Sequence, residues 1–294
     1  MSAPEGRETR EPGNTVADSP QAAPPRQPID GSGTDRTRCV LAPNPSPMTL
    51  DGTNTWLIAE PGSASAIVID PGPEDEGHLL RVRDLAASAG QRVSLIVLTH
   101  RHSDHSAGAA RFAALTGAPV RAVDPGQRLG DEGLSAGDVL TSAGCELRVL
   151  STPGHSSDSV CLQLPADGAV LTGDTVLGRG TTVIGGDGSL VDYLGSLRRL
   201  RALADEADVR VLLPGHGPLL PRPAETLDYY LAHRAERLAE VRAALAAGDT
   251  TGNQIMERVY AAVPRAVWPA ALVSVRAQLD YLAAQGEVPP GVTW

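Results

Sequence analysis

The segment Thr99-His100-Arg101-His102-Ser103-Asp104-His105 places three imidazoles and a carboxylate within six residues. Imidazole nitrogen and carboxylate oxygen are donors that divalent transition metals accept. His100 and His102 are two apart at the predicted end of a strand, so their rings point to one side and can grip a single ion. Asp104 and His105 are adjacent where the chain turns into a helix; they diverge from that pair and can serve a second ion. Further donors stand in matching settings. His155 follows Thr152-Pro153-Gly154, Asp174 follows Thr172-Gly173, and His216 follows Pro214-Gly215. Each comes just after a predicted strand, beside a glycine that lets the backbone turn and present the side chain. The candidate metal ligands are therefore His100, His102, Asp104, His105, His155, Asp174 and His216. The other two histidines, His78 and His233, fall in predicted helices and read as helix-surface residues.

Positioning these donors requires a strand-rich scaffold. Thr55–Ala59 and Ala66–Ile69 are apolar runs joined by Glu60-Pro61-Gly62-Ser63, which reads as a hairpin. Glu76–Ala89 has helical spacing, Val93–Leu98 is a strand running into the histidine segment, and His105–Leu115 is a helix. More strands follow at 119–122, 138–141, 146–150, 160–164 and 169–172, then a helix at 192–202 and a strand at 209–213. Helices interleaved with these strands predict layers in the order helix, sheet, sheet, helix. After Pro223 the strands stop. Leu227, Leu231, Leu238, Val241 and Leu245 mark one helix face, and Trp268, Leu272, Val275, Leu279 and Leu282 another, with Thr251 as the N-cap of a helix between them. Three regions result: a tail at 1–37, a catalytic domain at 38–222 and a small helical domain at 223–294.

Composition bounds the function. The 294 residues carry a net charge of −10, and all 25 basic residues are arginines. Sequence-independent DNA or RNA binding needs a basic footprint that this chain lacks. No apolar run approaches the length of a membrane span. The first 13 residues are polar with three glutamates, unlike a signal or transit peptide, so cytoplasm is the expected compartment. Cys39, Cys145 and Cys161 are too widely spaced for a disulfide scaffold and read as small buried side chains. Residues 1–37 hold six prolines and few large apolar groups, a composition that predicts disorder.

The four donor segments resemble the metal-binding motifs of the metallo-β-lactamase superfamily over roughly residues 39–221. That resemblance implies an α/β fold, the αββα sandwich, with one zinc on His100, His102 and His155. It implies a second zinc on Asp104, His105 and His216, with Asp174 bridging the two. Asp70, in Ile69-Asp70-Pro71-Gly72, matches the family's aspartate that steadies the histidine loop. Two cations about 3.5–4 Å apart can share a water, lower its pKa and present it as a bridging hydroxide nucleophile. Asp104 or Asp174 could take the proton, and spacing does not choose between them. Iron or manganese suits the same donors.

Outside the ligands, residues 44–57, 177–183 and 192–197 resemble the β-lactamase-like subgroup typified by a mitochondrial endoribonuclease. The C-terminal domain, with Ala232-His233-Arg234 and Val259-Tyr260, resembles that subgroup's winged-helix-like domain. It holds eight acids against six arginines, and the helix 266–285 carries only Arg276, or Arg265 as well if its flank is counted. DNA binding is therefore not expected, and the domain reads as a wall over the metal cleft or a homodimer surface. The resemblance implies a single-strand RNA endonuclease, with Trp56 and Tyr193 as base-stacking or core residues. The alternative is a hydrolase of a small acyl substrate, thioester or lactam, resembling hydroxyacylglutathione hydrolase and polyketide-releasing thioesterases. A third possibility is a non-catalytic regulator that keeps a structural metal.

Overall fold

A computed structural model describes residues 28–294. Residues 1–27 of the predicted tail lie outside the described residues.

Ten strands form two five-stranded mixed sheets. The first has the order β1-β2-β3-β4-β5: β1 (Thr37–Leu41), β2 (Asn54–Ile58), β3 (Ser65–Ile69), β4 (Arg92–Val97) and β5 (Val120–Arg121). The second has the order β10-β9-β8-β7-β6: β6 (Val139–Ser142), β7 (Cys145–Ser151), β8 (Val160–Leu164), β9 (Ala169–Gly173) and β10 (Val211–Pro214). Side-chain alternation explains the layers. Trp56, Ile58, Ile67, Ile69, Leu95 and Val97 face inward and meet Leu147, Val149, Leu162 and Leu171 of the second sheet. The intervening Leu57, Ala66, Val68 and Ile96 face outward, under α1 (Glu76–Ser88) and α3 (Ala109–Thr116). Strands buried on both faces read as continuous apolar runs, as β3 and β4 do.

On the far face of the second sheet, Cys161, Val170 and Leu212 are covered by α4 (Leu190–Glu206). The same apolar cluster continues into α5 (Pro223–Ala246), α6 (Gly252–Val259) and α7 (Trp268–Ala284). The layer order is thus α, β, β, α with three extra helices docked on one side. Thr251 caps α6 through a reciprocal capping box with Gln254. All three cysteines are buried. No helix among the described residues is long and apolar enough to cross a membrane.

Three expectations need correction. Residues 28–36, assigned to the tail by composition, are engaged: Arg36 pairs with Asp167 (2.6 Å) and Glu60 (2.5 Å), and Thr34 bonds Asp167. They lead into β1, an edge strand whose polar start hid it among prolines and serines. The predicted helix 105–115 is two pieces, α2 (Ser103–Ser106) and α3, because the chain crosses the loop after β3 at Gly108. A Cβ at Gly108 would lie 2.7 Å from the Pro73 carbonyl.

The third correction concerns His78, which lies on the buried face of α1, with Nε2 2.9 Å from the Thr55 hydroxyl. Burial lowers its pKa from 6.5 to about 4. Unfolded chain therefore takes up a proton below pH 6.5 that folded protein refuses, so stability falls as pH drops from about 6.5 to about 4. That one group contributes about 3 kcal/mol to the loss. Half-buried His233, also lowered by burial to about 4, acts in the same direction. His78→Gln is expected to flatten the acid limb of urea-unfolding stability measured between pH 7 and pH 4. Equal slopes in the variant and the wild type would refute this account.

Candidate metal centre

All the candidate donors lie at strand ends along one rim of the sandwich. The histidine segment follows β4, His155 follows β7, Asp174 follows β9 and His216 follows β10. Asp70, at the end of β3, organises the first of these. Its carboxylate accepts from the Thr99 amide (2.8 Å), the Thr99 hydroxyl (2.7 Å) and His105 Nδ1 (2.9 Å). His105 is thereby anchored through Nδ1–H with its Nε2 turned inward.

The same device recurs. His155 Nδ1 donates to the Val183 carbonyl (2.8 Å) and His216 Nδ1 to the Gly52 carbonyl (3.1 Å). His100 Nδ1 lies 3.1 Å from the Thr99 hydroxyl oxygen, whose proton is already given to Asp70. Four imidazoles are thus held from behind by oxygen, each with Nε2 turned to a common centre. Such outer hydrogen bonds accompany metal-ligating histidines.

The inward atoms form two groups. In one, His100 Nε2 and His155 Nε2 lie 3.0 and 2.9 Å from His102 Nδ1. In the other, His216 Nε2 is 3.2 Å from His105 Nε2 and 3.1 Å from Asp104 Oδ2. Asp174 stands between them: Oδ1 is 3.3 Å from His105 Nε2, while Oδ2 is 3.4 Å from His216 Nε2 and 3.7 Å from His155 Nε2. Each donor triplet fits within 4.8 Å. Nitrogens bound tetrahedrally to zinc sit roughly 3.3 Å apart, close to these spacings. Asp174 Oδ1 is buried without a hydrogen-bond donor among the described residues, the condition of an oxygen that suits a cation. Close packing is needed here, since a Cβ on Gly215 would fall 2.7 Å from both Asp174 Oδ1 and His105 Cε1. The residues fit a metal centre.

Electrostatics separate the two groups. Burial, and then the neighbouring histidines, push His100 and His102 below the usual imidazole range, leaving both neutral and ready to ligate. Burial opposes charge on His105 and His216 as well, but Asp174 outweighs it, helped at His105 by Asp70 and at His216 by a hydrogen bond to Asp104. His105 ends well above the ordinary value and His216 at about 9. Asp174 is held well below the carboxylate range, its burial overcome by His216 and His105.

Several contributors are silent in the sequence. Asn54 is fully buried, and its Nδ2 donates to the Pro214 (2.9 Å) and Gly217 (2.8 Å) carbonyls, tying β2 to the turn that bears His216. Nothing local marks it, because its partners lie about 160 residues away. Trp56 and Tyr193 are buried at 2% and 0% exposure and present no face to a base. Two arginines near the donor segments are spoken for: Arg101 pairs with Asp187 (2.8 Å) and Arg179 with Asp51.

Comparison with known proteins agrees with this geometry. Residues 48–216 match the metallo-beta-lactamase superfamily, and residues 251–289 match the beta-lactamase associated winged helix domain. A beta-lactamase-like protein 2 homolog from Caenorhabditis elegans is 32% identical over 271 residues, covering 89% of this chain and 88% of its own. An atrochrysone carboxyl ACP thioesterase from Aspergillus fumigatus is 32% identical over 244 residues, covering 76% and 73%. The fold matches a metallo-beta-lactamase family protein from Thermus thermophilus with a TM-score of 0.71 at 23% identity, over 85% of this chain and 94% of that one. With the layers, the strand-end donors and these likenesses together, the chain belongs to the metallo-beta-lactamase superfamily, as a hydrolase with a C-terminal winged helix domain.

Proposed function

We propose that this protein hydrolyses small acyl thioesters at a two-zinc centre, with residues 38–222 as the catalytic domain and 223–294 as its supporting domain. The observation that carries the metal assignment is Asp174, a largely buried carboxylate whose Oδ1 faces His105 while Oδ2 lies between His216 and His155. His100, His102 and His155 would hold one ion, Asp104, His105 and His216 the other, and Asp174 both. Bound there, the pair supplies an activated water and polarises the acyl carbonyl.

The chain's own residues provide the rest. Asp70, Val183 and Gly52 keep the imidazole lone pairs aimed inward through the hydrogen bonds above. Asp104 is the more exposed carboxylate, 28% against 11% for Asp174, and so is the better placed to receive the proton that water loses on attack. Water adds to the carbonyl, the C–S bond breaks, and the proton held by Asp104 passes to the departing sulfur, so that a carboxylic acid and a thiol leave.

The substrate class draws on the similarity to a fungal thioesterase. Single-stranded RNA is the weaker fit. The stacking candidates Trp56 and Tyr193 are buried, Arg101 and Arg179 are paired with carboxylates, and the chain is acidic. The test is thiol release from an acyl thioester, run beside cleavage of a fluor-labelled single-stranded RNA. Zn2+-loaded protein is expected to release thiol, lose that activity on chelation and regain it with added Zn2+. Full activity in metal-free protein, or catalytic RNA cleavage without thioester turnover, would overturn the proposal.

A further inference from the structure

We propose that α5 is a positioning element of the metal centre, acting through Tyr230 and Arg234 on the segment that orients His155. Leu227, Tyr230, Arg234, Leu238 and Val241 step by three and four along α5 and are buried together. Two of these five are polar, and both reach out of the helical domain to the same segment. The Tyr230 hydroxyl accepts from the Leu177 amide (2.8 Å) and donates to the Gly180 carbonyl (2.9 Å). Arg234 Nη2 donates to the Thr182 carbonyl (2.5 Å). One residue on, the Val183 carbonyl receives His155 Nδ1–H, and the Thr182 hydroxyl lies 3.0 Å from the same nitrogen. The path from α5 to a candidate ligand therefore runs through two hydrogen bonds and one peptide unit.

Arg234 is a costly way to hold a loop. Only 4% of it is exposed, its Nε has no partner among the described residues, and its guanidinium lies 5.0 Å from the Tyr193 ring centroid. A buried cation without a carboxylate contributes little to folding, and an apolar side chain would fill the space at lower cost. Its place at the Thr182 carbonyl gives it a use that stability does not: it fixes the plane of the peptides behind His155. Tyr193, beneath the guanidinium, braces the start of the same segment by donating to the Thr175 carbonyl (2.7 Å).

This inference rests on the metal assignment above, and its test separates the two. Tyr230→Phe and Arg234→Met are compared with wild type for thermal midpoint, for Zn2+ affinity by competition with a chromogenic chelator, and for the electronic spectrum after Co2+ loading. Both variants are expected to bind Zn2+ at least about tenfold more weakly, the scale of lost outer hydrogen bonds at metal sites. The Co2+ spectral change should match the one that His155→Ala produces. A side chain that served stability alone would lower the midpoint and leave the affinity and spectrum of folded protein unchanged. Should Arg234→Met fail to fold, Tyr230→Phe decides: wild-type affinity with an unaltered Co2+ spectrum overturns this inference alone. Wild-type protein that takes up no Zn2+ overturns the metal assignment along with it.

Discussion

Asp174→Ala is expected to reduce thioester hydrolysis by about a thousandfold or more, the scale of losing a group that stabilises transition-state charge, while the chain still folds. Both carboxylate oxygens of Asp174 lie within 3.3–3.7 Å of histidine nitrogens, and the group, 11% exposed, stands between the two donor triplets. Removing it takes away the one side chain proposed to serve both triplets and leaves five imidazoles and Asp104 with less negative charge to balance two cations. The fold should survive, because Asp174 bonds no backbone and the sheets close around aliphatic residues below the rim. Zn2+ content by elemental analysis should fall with activity, and the circular dichroism spectrum should stay as in wild type. A variant with normal turnover would remove Asp174 from the centre.

Asp70→Asn tests the support behind the ligands. Asp70 accepts three hydrogen bonds, two from Thr99 and one from His105. An amide is a poor replacement, since its NH2 would face the Thr99 hydroxyl and His105 Nδ1–H together or, flipped, the Thr99 backbone N–H. His105 relieves that clash by moving its proton to Nε2, which puts N–H where a lone pair is needed. Zn2+ affinity is expected to fall about 10- to 100-fold. Leaving buried donors unmatched should also cost about 1–3 kcal/mol of stability. Chelator competition and urea unfolding measure the two effects separately. Unchanged Zn2+ affinity in folded Asp70→Asn would show that Asp70 serves only the backbone.

What could be read in advance depended on whether a residue's partners were near it in sequence. The donors announced themselves, because strand-end turns with glycine are local signals and the 100–105 cluster is compact. The layer order followed from helices interleaved with the strands, and Thr251 from the cap chemistry of a single turn. His78 was misjudged because its partner, Thr55, sits 23 residues away on β2, and helical spacing cannot reveal a partner from a distant strand. Tyr230 and Arg234 look like ordinary members of a helix face until α5 is docked and the segment near residue 180 is found beneath them. Residues 28–36 escaped notice because proline-rich composition cannot foresee a distant carboxylate such as Asp167.

The rim at which the donors meet is also a seam. Four of them, from His100 to His105, come from the half of the chain that builds the first sheet, and His155, Asp174 and His216 come from the half that builds the second. Neither half alone owns enough ligands to complete either triplet, so an ion lodged there works as a rivet between two separately coded pieces. Cutting the chain in the 122–138 connection and mixing the fragments would then make metal uptake a direct gauge of whether the halves had found each other.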